Sequence, residues 1–310
     1  MNDNTDSQLE QKMVNQLARE FLQEQRSHRR WSIFFKSLFA FYLLSFLFIY
    51  LAGEWQLGSG KHTALIDING VISMDSEANA DYVATGLRAA FKDKNTAGVI
   101  IRINSPGGSP VQSGYINDEI RRLRAEYPDI PLYAVIADLC ASGGYYIASA
   151  ADKIYADKAS LVGSIGVIMS GFGFVDSIEK LGIERRVRHA GESKAFLDPF
   201  SPQKEADLAH IDNLLNDVYQ QFIDTVKLGR GDRLVDDEKI FSGLVWTGEQ
   251  SIELGLVDAL GSAGYVAREV IGEEEIVDFT RRENYLDRFA GSLGTSLANR
   301  LGTYFNYQLK

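Results

Sequence analysis

Two residues in this 310-residue chain have the chemistry of a nucleophile and its base. Ser142 lies in the segment Ala-Ser-Gly-Gly-Tyr-Tyr, and Lys194 lies further along in Gly-Glu-Ser-Lys-Ala-Phe-Leu. A serine hydroxyl attacks a carbonyl at neutral pH only when a base accepts its proton, and a lysine serves only where burial has lowered its pKa. The pair therefore predicts a lysine-activated serine nucleophile.

Two glycine turns could hold the charge that such an attack creates. The segment Ile-Arg-Ile-Asn-Ser-Pro-Gly-Gly ends at Gly108, and Gly143 directly follows Ser142. Glycine permits positive φ, which lets backbone N–H groups turn toward a ligand. Since each lost oxyanion donor costs about 2.7 to 4 kcal/mol of transition-state stabilisation, two donors beside the nucleophile are valuable. We predict Gly108 and Gly143 as the oxyanion hole.

The elements that must position these residues are β-rich apolar runs that alternate with helical patterns. Such alternation predicts an α/β fold with a largely parallel sheet covered by helices. Ligand-binding and catalytic loops then lie at the carboxyl ends of the strands. The predicted strands are 64–68, 98–103, 132–137 and 153–156.

Two further helix starts are predicted downstream. Ser201 and Pro202 suit the N-cap and first turn of a long helix. Thr247 and Gln250 suit the capping box of a shorter one.

An uncharged apolar run from Ser37 to Gly53 predicts one transmembrane helix, because about 20 apolar residues span a bilayer. Basic residues precede the run and Glu54 follows it, so the positive-inside rule places the N-terminus in the cytoplasm and the C-terminal part outside the inner membrane. A cleaved signal peptide is the alternative, but the long leader and the missing Ala-x-Ala site favour an uncleaved anchor. A buried core helix is disfavoured, because apolar residues cover every face.

The predicted organisation has five parts along the chain. They are a cytoplasmic segment (1–30), a transmembrane anchor (31–53), a linker (54–61), a catalytic domain (62–275) and an amphipathic tail (276–310).

Charge and composition exclude several classes of function. The net charge of −10 and the pI near 5.0 argue against binding to a nucleic-acid backbone. The sequence has no His, Cys, Asp and Glu grouping with metal-ligand spacing and no phosphate loop, so no metal and no cofactor are predicted. The single cysteine, Cys140, follows an apolar run and is interpreted as a packed core thiol.

Five segments in one order resemble the signal peptide peptidase A family, which consists of membrane-anchored serine peptidases related in fold to the Clp protease and the crotonases. The segments cover most of residues 62 to 260, and the agreement of all five in order is far more specific than any one. They are Asn104–Gly108, Ala141–Tyr146, Val162–Val167, the Lys194 segment and Gly255–Asp258.

The resemblance implies a function and a role for each site residue. Ser142 would be the acyl-forming nucleophile, Lys194 the general base and Ser164 the hydroxyl that orients the lysine amine. The fold would be Clp/crotonase-like, with repeated ββα units. The substrates would be peptides, such as remnant signal peptides, cleaved outside the cytoplasmic membrane. Family members form ring or dome homo-oligomers in which neighbouring subunits help to form the active site.

Three alternatives remain open at the level of the sequence. His189 is the one rival base, since it is the only histidine near Lys194 in sequence. A crotonase-type acyl-CoA enzyme would share the two-amide oxyanion hole but needs carboxylate acid/base groups and a cytosolic CoA pool. A non-catalytic membrane scaffold would keep the fold alone.

Overall fold

The computed structural model describes residues 29–48 and 60–282, which belong to two compact units. The predicted cytoplasmic segment, most of the linker and most of the C-terminal tail lie outside the described residues. We describe each unit by itself.

The first unit contains helix α1, Arg29–Phe48. Its 20 residues have a mean hydropathy of 1.7 in the most apolar window, and none of that window is buried. A helix of this length measures about 30 Å, close to the thickness of a bilayer core. Among the described residues α1 is the one helix long and apolar enough to cross a membrane, and both a membrane anchor and a signal sequence fit this description.

The second unit is built on an eight-stranded sheet, which confirms the predicted α/β class. The strand order is β6-β5-β3-β2-β1-β8, and β4 lies between β3 and β7. Every pairing is parallel except that of β5 with β6. The strands are β1 His62–Asn69, β2 Thr96–Ser105, β3 Leu132–Ala141, β4 Lys153–Ala156, β5 Leu161–Gly163, β6 Val245–Thr247, β7 Ala259–Leu260 and β8 Ile276–Asp278.

The central strands β1 to β3 are largely buried on both faces, as expected of parallel strands that helices cover. β3 pairs along its first half with β4 and along its last three residues with β5, so the sheet divides just before the end of β3. The helices are α2 Ala80–Lys92, α3 Pro110–Glu126, α4 Gly143–Ala148, α5 Val175–Lys180, α6 Glu205–Arg230, α7 Gly248–Glu253 and α8 Ala263–Tyr265; the last continues into a π-helical turn, Val266–Ile271.

Two local predictions have different outcomes. The capping box is confirmed, because the Thr247 hydroxyl and the Gln250 side chain each bond the other residue's N–H at the start of α7. The predicted start of the long helix is wrong, since α6 begins at Glu205. Ser201 instead donates to the Asp198 carboxylate at 2.6 Å, which closes a turn before the helix. Strand β8, Ile276–Asp278, follows residue 275, where the catalytic domain is predicted to end, so the folded unit extends past that residue.

A buried ion pair fixes the end of α6, the helix that forms one wall of the site described below. The Arg230 guanidinium is 1% exposed and donates to both Asp258 carboxylate oxygens, at 2.8 and 3.0 Å. The same carboxylate accepts from the N–H of Ile154 in β4 at 2.7 Å. Burial raises the pKa of Asp258, but the hydrogen bonds and charge of Arg230 outweigh burial, and the pKa lies below its ordinary value.

Asp258→Asn is expected to lower the free energy of unfolding at pH 7 by about 3 to 5 kcal/mol, because it leaves the Arg230 guanidinium buried without its counter-charge. A carboxyl whose pKa is lowered by folding stabilises the protein above its unfolded pKa, near 3.9, and this contribution is lost as the pH falls through the folded value. The difference in the free energy of unfolding between wild type and variant, measured by urea unfolding, should therefore shrink below about pH 4. The exposed pair Arg122–Glu126 offers a control, since Glu126→Gln should cost less than about 1 kcal/mol. Equal effects of the two variants would contradict a stabilising role for the buried pair.

Candidate active site

Ser142 lies where β3 ends and α4 begins, as predicted. Its backbone has φ 50° and ψ −121°, a conformation that non-glycine residues rarely adopt and that proteins tend to reserve for functional positions. Two hydrogen bonds hold it there: the Ser142 N–H donates to the Gly163 carbonyl at 2.8 Å, and the Ser142 carbonyl accepts from the Tyr146 N–H at 2.9 Å. The half-buried side chain lines a cavity.

The Pro-Gly-Gly turn lies against Ser142 because β2 and β3 are parallel neighbours and their carboxyl ends meet at one edge of the sheet. A Cβ on Gly107 would stand 2.7 Å from both the Gly143 nitrogen and the Ser142 Cβ. A Cβ on Gly108 would stand 2.1 Å from the Ile72 carbonyl oxygen. Both positions also have positive φ, 95° and 151°. Only glycine allows the turn and Ser142 to approach this closely.

The N–H groups of Gly108 and Gly143 are free to bind a ligand. Within residues 60–282, neither donates a hydrogen bond to a backbone or side-chain oxygen. The Gly108 nitrogen lies 3.3 Å from the point where a Cβ on Gly143 would stand, so the two donors are neighbours. The structure therefore brings Gly108 and Gly143, the predicted oxyanion donors, next to Ser142, the predicted nucleophile. Two such donors would stabilise a tetrahedral oxyanion.

The cavity beside Ser142 has a volume of about 380 Å³. Its walls come from the Pro-Gly-Gly turn with the start of α3, from the start of α4, from the chain after β5 and from the middle of α6. The lining residues are Gly108, Pro110, Val111, Ser113, Gly114, Tyr115, Asp118, Ser142, Gly143, Tyr146, Gly166, Val167, Ile168, Val218, Gln221 and Phe222.

Lys194 does not line this cavity. It lies in an exposed turn between α5 and α6, where its N–H donates to the Gly191 carbonyl at 3.2 Å. The rival base, His189, is in the same exposed turn and its Nδ1 lies 2.8 Å from that carbonyl. Within one described chain, neither candidate base reaches the Ser142 cavity.

Comparison with known proteins identifies the family of this chain. The sequence profile of peptidase family S49 matches residues 125–276. A protein of Enterococcus faecium named as a signal peptide peptidase SppA is 30% identical over 254 residues, which are 79% of this chain and 73% of that protein. The chain belongs to peptidase family S49.

Other relatives match part of this chain within longer proteins. The chloroplast serine protease SPPA of Arabidopsis thaliana is 34% identical over 223 residues, 67% of this chain and 32% of that protein. A Brucella melitensis protein named Na⁺/H⁺ antiporter NhaA is 46% identical over 188 residues, 61% of this chain. This chain spans only a quarter of the length of that relative.

The S49 match covers Ser142 and Lys194, whereas Gly108 lies before it. It also covers Ser164, which follows β5 with φ 50° and is held by a hydrogen bond from its N–H to the Leu244 carbonyl at 2.7 Å. Ser164 is half-buried and does not line the cavity.

Cys140 is fully buried, and burial raises the pKa of its thiol above the ordinary value. A thiol held in its protonated form is a poor nucleophile. The interpretation of Cys140 as a packed core residue is confirmed.

Two residues of the site were not predicted from the sequence. Gly107 lies against Ser142, and Ser113 brings a buried hydroxyl to the cavity. A signal for Ser113 exists in its spacing of four residues from Asn117, which places two polar residues on one face of α3. Both residues are buried.

Proposed function

We propose that this S49 chain is a membrane-anchored serine endopeptidase with a Ser142–Lys194 dyad. The observation that carries the proposal is the position of Ser142 at the mouth of a cavity, beside two N–H groups that have no partner among the described residues. Remnant signal peptides or other membrane-associated peptides are the proposed substrates.

The proposed reaction has two steps. The Ser142 oxygen attacks the substrate carbonyl carbon and gives its proton to the Lys194 amine, while the N–H groups of Gly108 and Gly143 stabilise the oxyanion. The C–N bond then breaks, the leaving amine takes the proton from Lys194, and an ester on Ser142 remains. Water attacks this ester with Lys194 again as base, which releases the acid and regenerates Ser142. The Ser164 hydroxyl would orient the lysine amine.

We propose that the lysine reaches Ser142 from a second copy of the chain. No residue from Gly166 to His210 is buried in the single chain, although the segment contains many large apolar side chains. Ile168, Phe172 and Leu181 are 87%, 83% and 72% exposed. An apolar surface of this extent is typical of a protein interface, and a lysine must be removed from water to serve as a base. A homo-oligomer would meet both requirements.

The membrane anchor follows from α1 and from the charges on either side of the apolar run. With basic residues before the run and Glu54 after it, the N-terminus would lie in the cytoplasm and the catalytic unit outside the inner membrane. Peptides released at that membrane would then meet the enzyme where it is tethered.

Covalent labelling of Ser142 tests the proposed chemistry. The full chain in detergent should react with a fluorophosphonate probe, which phosphonylates activated serines with loss of fluoride, and Ser142→Ala should abolish the adduct. Ser177→Ala, at an exposed serine of α5, should leave labelling unchanged. A crotonase-type enzyme or a non-catalytic scaffold would give no Ser142 adduct, and that result would overturn the proposal.

A further inference from the structure

The Ser113 hydroxyl has no hydrogen-bond partner although it is buried. Ser113 is 0% exposed, and its Oγ is the one buried side-chain polar atom without a partner in the part of the chain that the structure describes. Leaving a buried hydroxyl unpaired costs about 1 to 3 kcal/mol. Native structures retain such a group where a partner arrives on binding or where it has another function.

This hydroxyl points at the catalytic turn. A Cβ on Gly143 would stand only 2.5 Å from the Ser113 Oγ, so the missing side chain at Gly143 leaves the space that the hydroxyl uses. The N–H of Gly108 lies 3.3 Å from the same point. Ser113 therefore borders both oxyanion donors and lines the cavity next to Ser142.

The walls of the cavity are mainly apolar. Val111, Tyr146 and Phe222 contribute carbon surface to the cavity, and Ser113 is the buried polar side chain among its lining residues. In the residue that supplies the scissile carbonyl, the side chain is attached to the Cα next to the carbonyl carbon. When the carbonyl oxygen occupies the two-amide site, that side chain can enter this cavity.

We propose that Ser113 determines specificity by forming a hydrogen bond with a hydroxyl group on the substrate residue that supplies the scissile carbonyl. The inference rests on the proposed peptidase function and names its substrate class, peptides with a hydroxyl-bearing side chain before the cut. Such a substrate satisfies the buried hydroxyl, whereas an apolar isostere leaves it unpaired.

Isosteric peptide pairs test this inference in the full chain. The pairs differ before the cut by threonine against valine or by tyrosine against phenylalanine. Wild type should favour the hydroxyl member of a pair by about 3- to 10-fold in kcat/KM, the effect of one neutral hydrogen bond. Ser113→Ala should remove that preference. Val111→Ala changes the cavity wall without touching the hydroxyl and should keep it.

Ser113→Ala should also keep or raise the midpoint of thermal unfolding, since it removes an unpaired buried hydroxyl. No preference in the wild type, or the same preference in wild type and Ser113→Ala, would overturn the inference. So would a Ser113→Ala variant that loses stability and cleaves both members of each pair equally less well. A wild type that cleaves no peptide and takes no fluorophosphonate would instead contradict the proposed function and, with it, this inference.

Discussion

Lys194→Ala is expected to lower kcat/KM for peptide cleavage by about 10²- to 10⁴-fold, the usual contribution of a general base. Without an acceptor for its proton, the Ser142 hydroxyl stays a weak nucleophile while the oxyanion donors remain in place. The fold should survive, because the Lys194 side chain is exposed and makes no hydrogen bond or ion pair within the described residues. Steady-state cleavage of a fluorogenic peptide by the full chain, together with its thermal unfolding midpoint, measures both effects.

Three variants in the same segment give this experiment its controls. Lys194→Arg keeps the positive charge but cannot give up its proton, so it should be as inactive as the alanine variant. Lys180→Ala removes an exposed lysine of α5 and should retain activity. His189→Ala should also retain activity. Cleavage that survives in Lys194→Ala and disappears in His189→Ala would assign the base to the histidine.

The sequence was sufficient to predict the parts of the fold that local patterns determine. β1 to β4 were recognisable because parallel strands buried on both faces are continuous apolar runs. The position of Ser142 followed from an apolar strand that ends in Ser-Gly-Gly, and the turn at Gly108 followed from Pro-Gly-Gly after another strand. Parallel neighbours then had to bring these two turns to one edge of the sheet.

Features that depend on contacts between distant parts of the chain could not be predicted from the sequence. The division of β3 between β4 and β5 creates the edge at which Gly163 accepts the Ser142 N–H, and no local pattern specifies that pairing. The start of α6 depends on a hydrogen bond of Ser201 to Asp198 that competes with its role as an N-cap. The exposure of Lys194 depends on which surfaces of the folded chain its other segments leave uncovered, and no local pattern specifies those surfaces.

The exposure of Lys194 leads to a second prediction with a large expected effect on peptide cleavage. It concerns oligomers that contain two variants, each of which is inactive alone. Ser142→Ala and Lys194→Ala should each be inactive alone, and co-expression of the two full chains should restore cleavage. If each site takes its serine from one copy and its lysine from another, random mixing of equal amounts gives about a quarter of the sites an intact pair. Specific activity should therefore rise to about a quarter of the wild-type value, at least tenfold above either variant by itself.

The opposite result has a definite structural meaning. A dyad formed within one chain would require residues 166–210 to fold back over the Ser142 cavity and remove Lys194 from water, and in mixed oligomers every site would then lack one partner. Co-expression of Ser142→Ala with the double variant Ser142→Ala/Lys194→Ala is the matched control, because no intact serine is present. Equal activity in the test and control mixtures would contradict a shared site. Restored activity would explain why so many apolar side chains between Gly166 and His210 are uncovered in the single chain: the same contact that buries them would deliver the base.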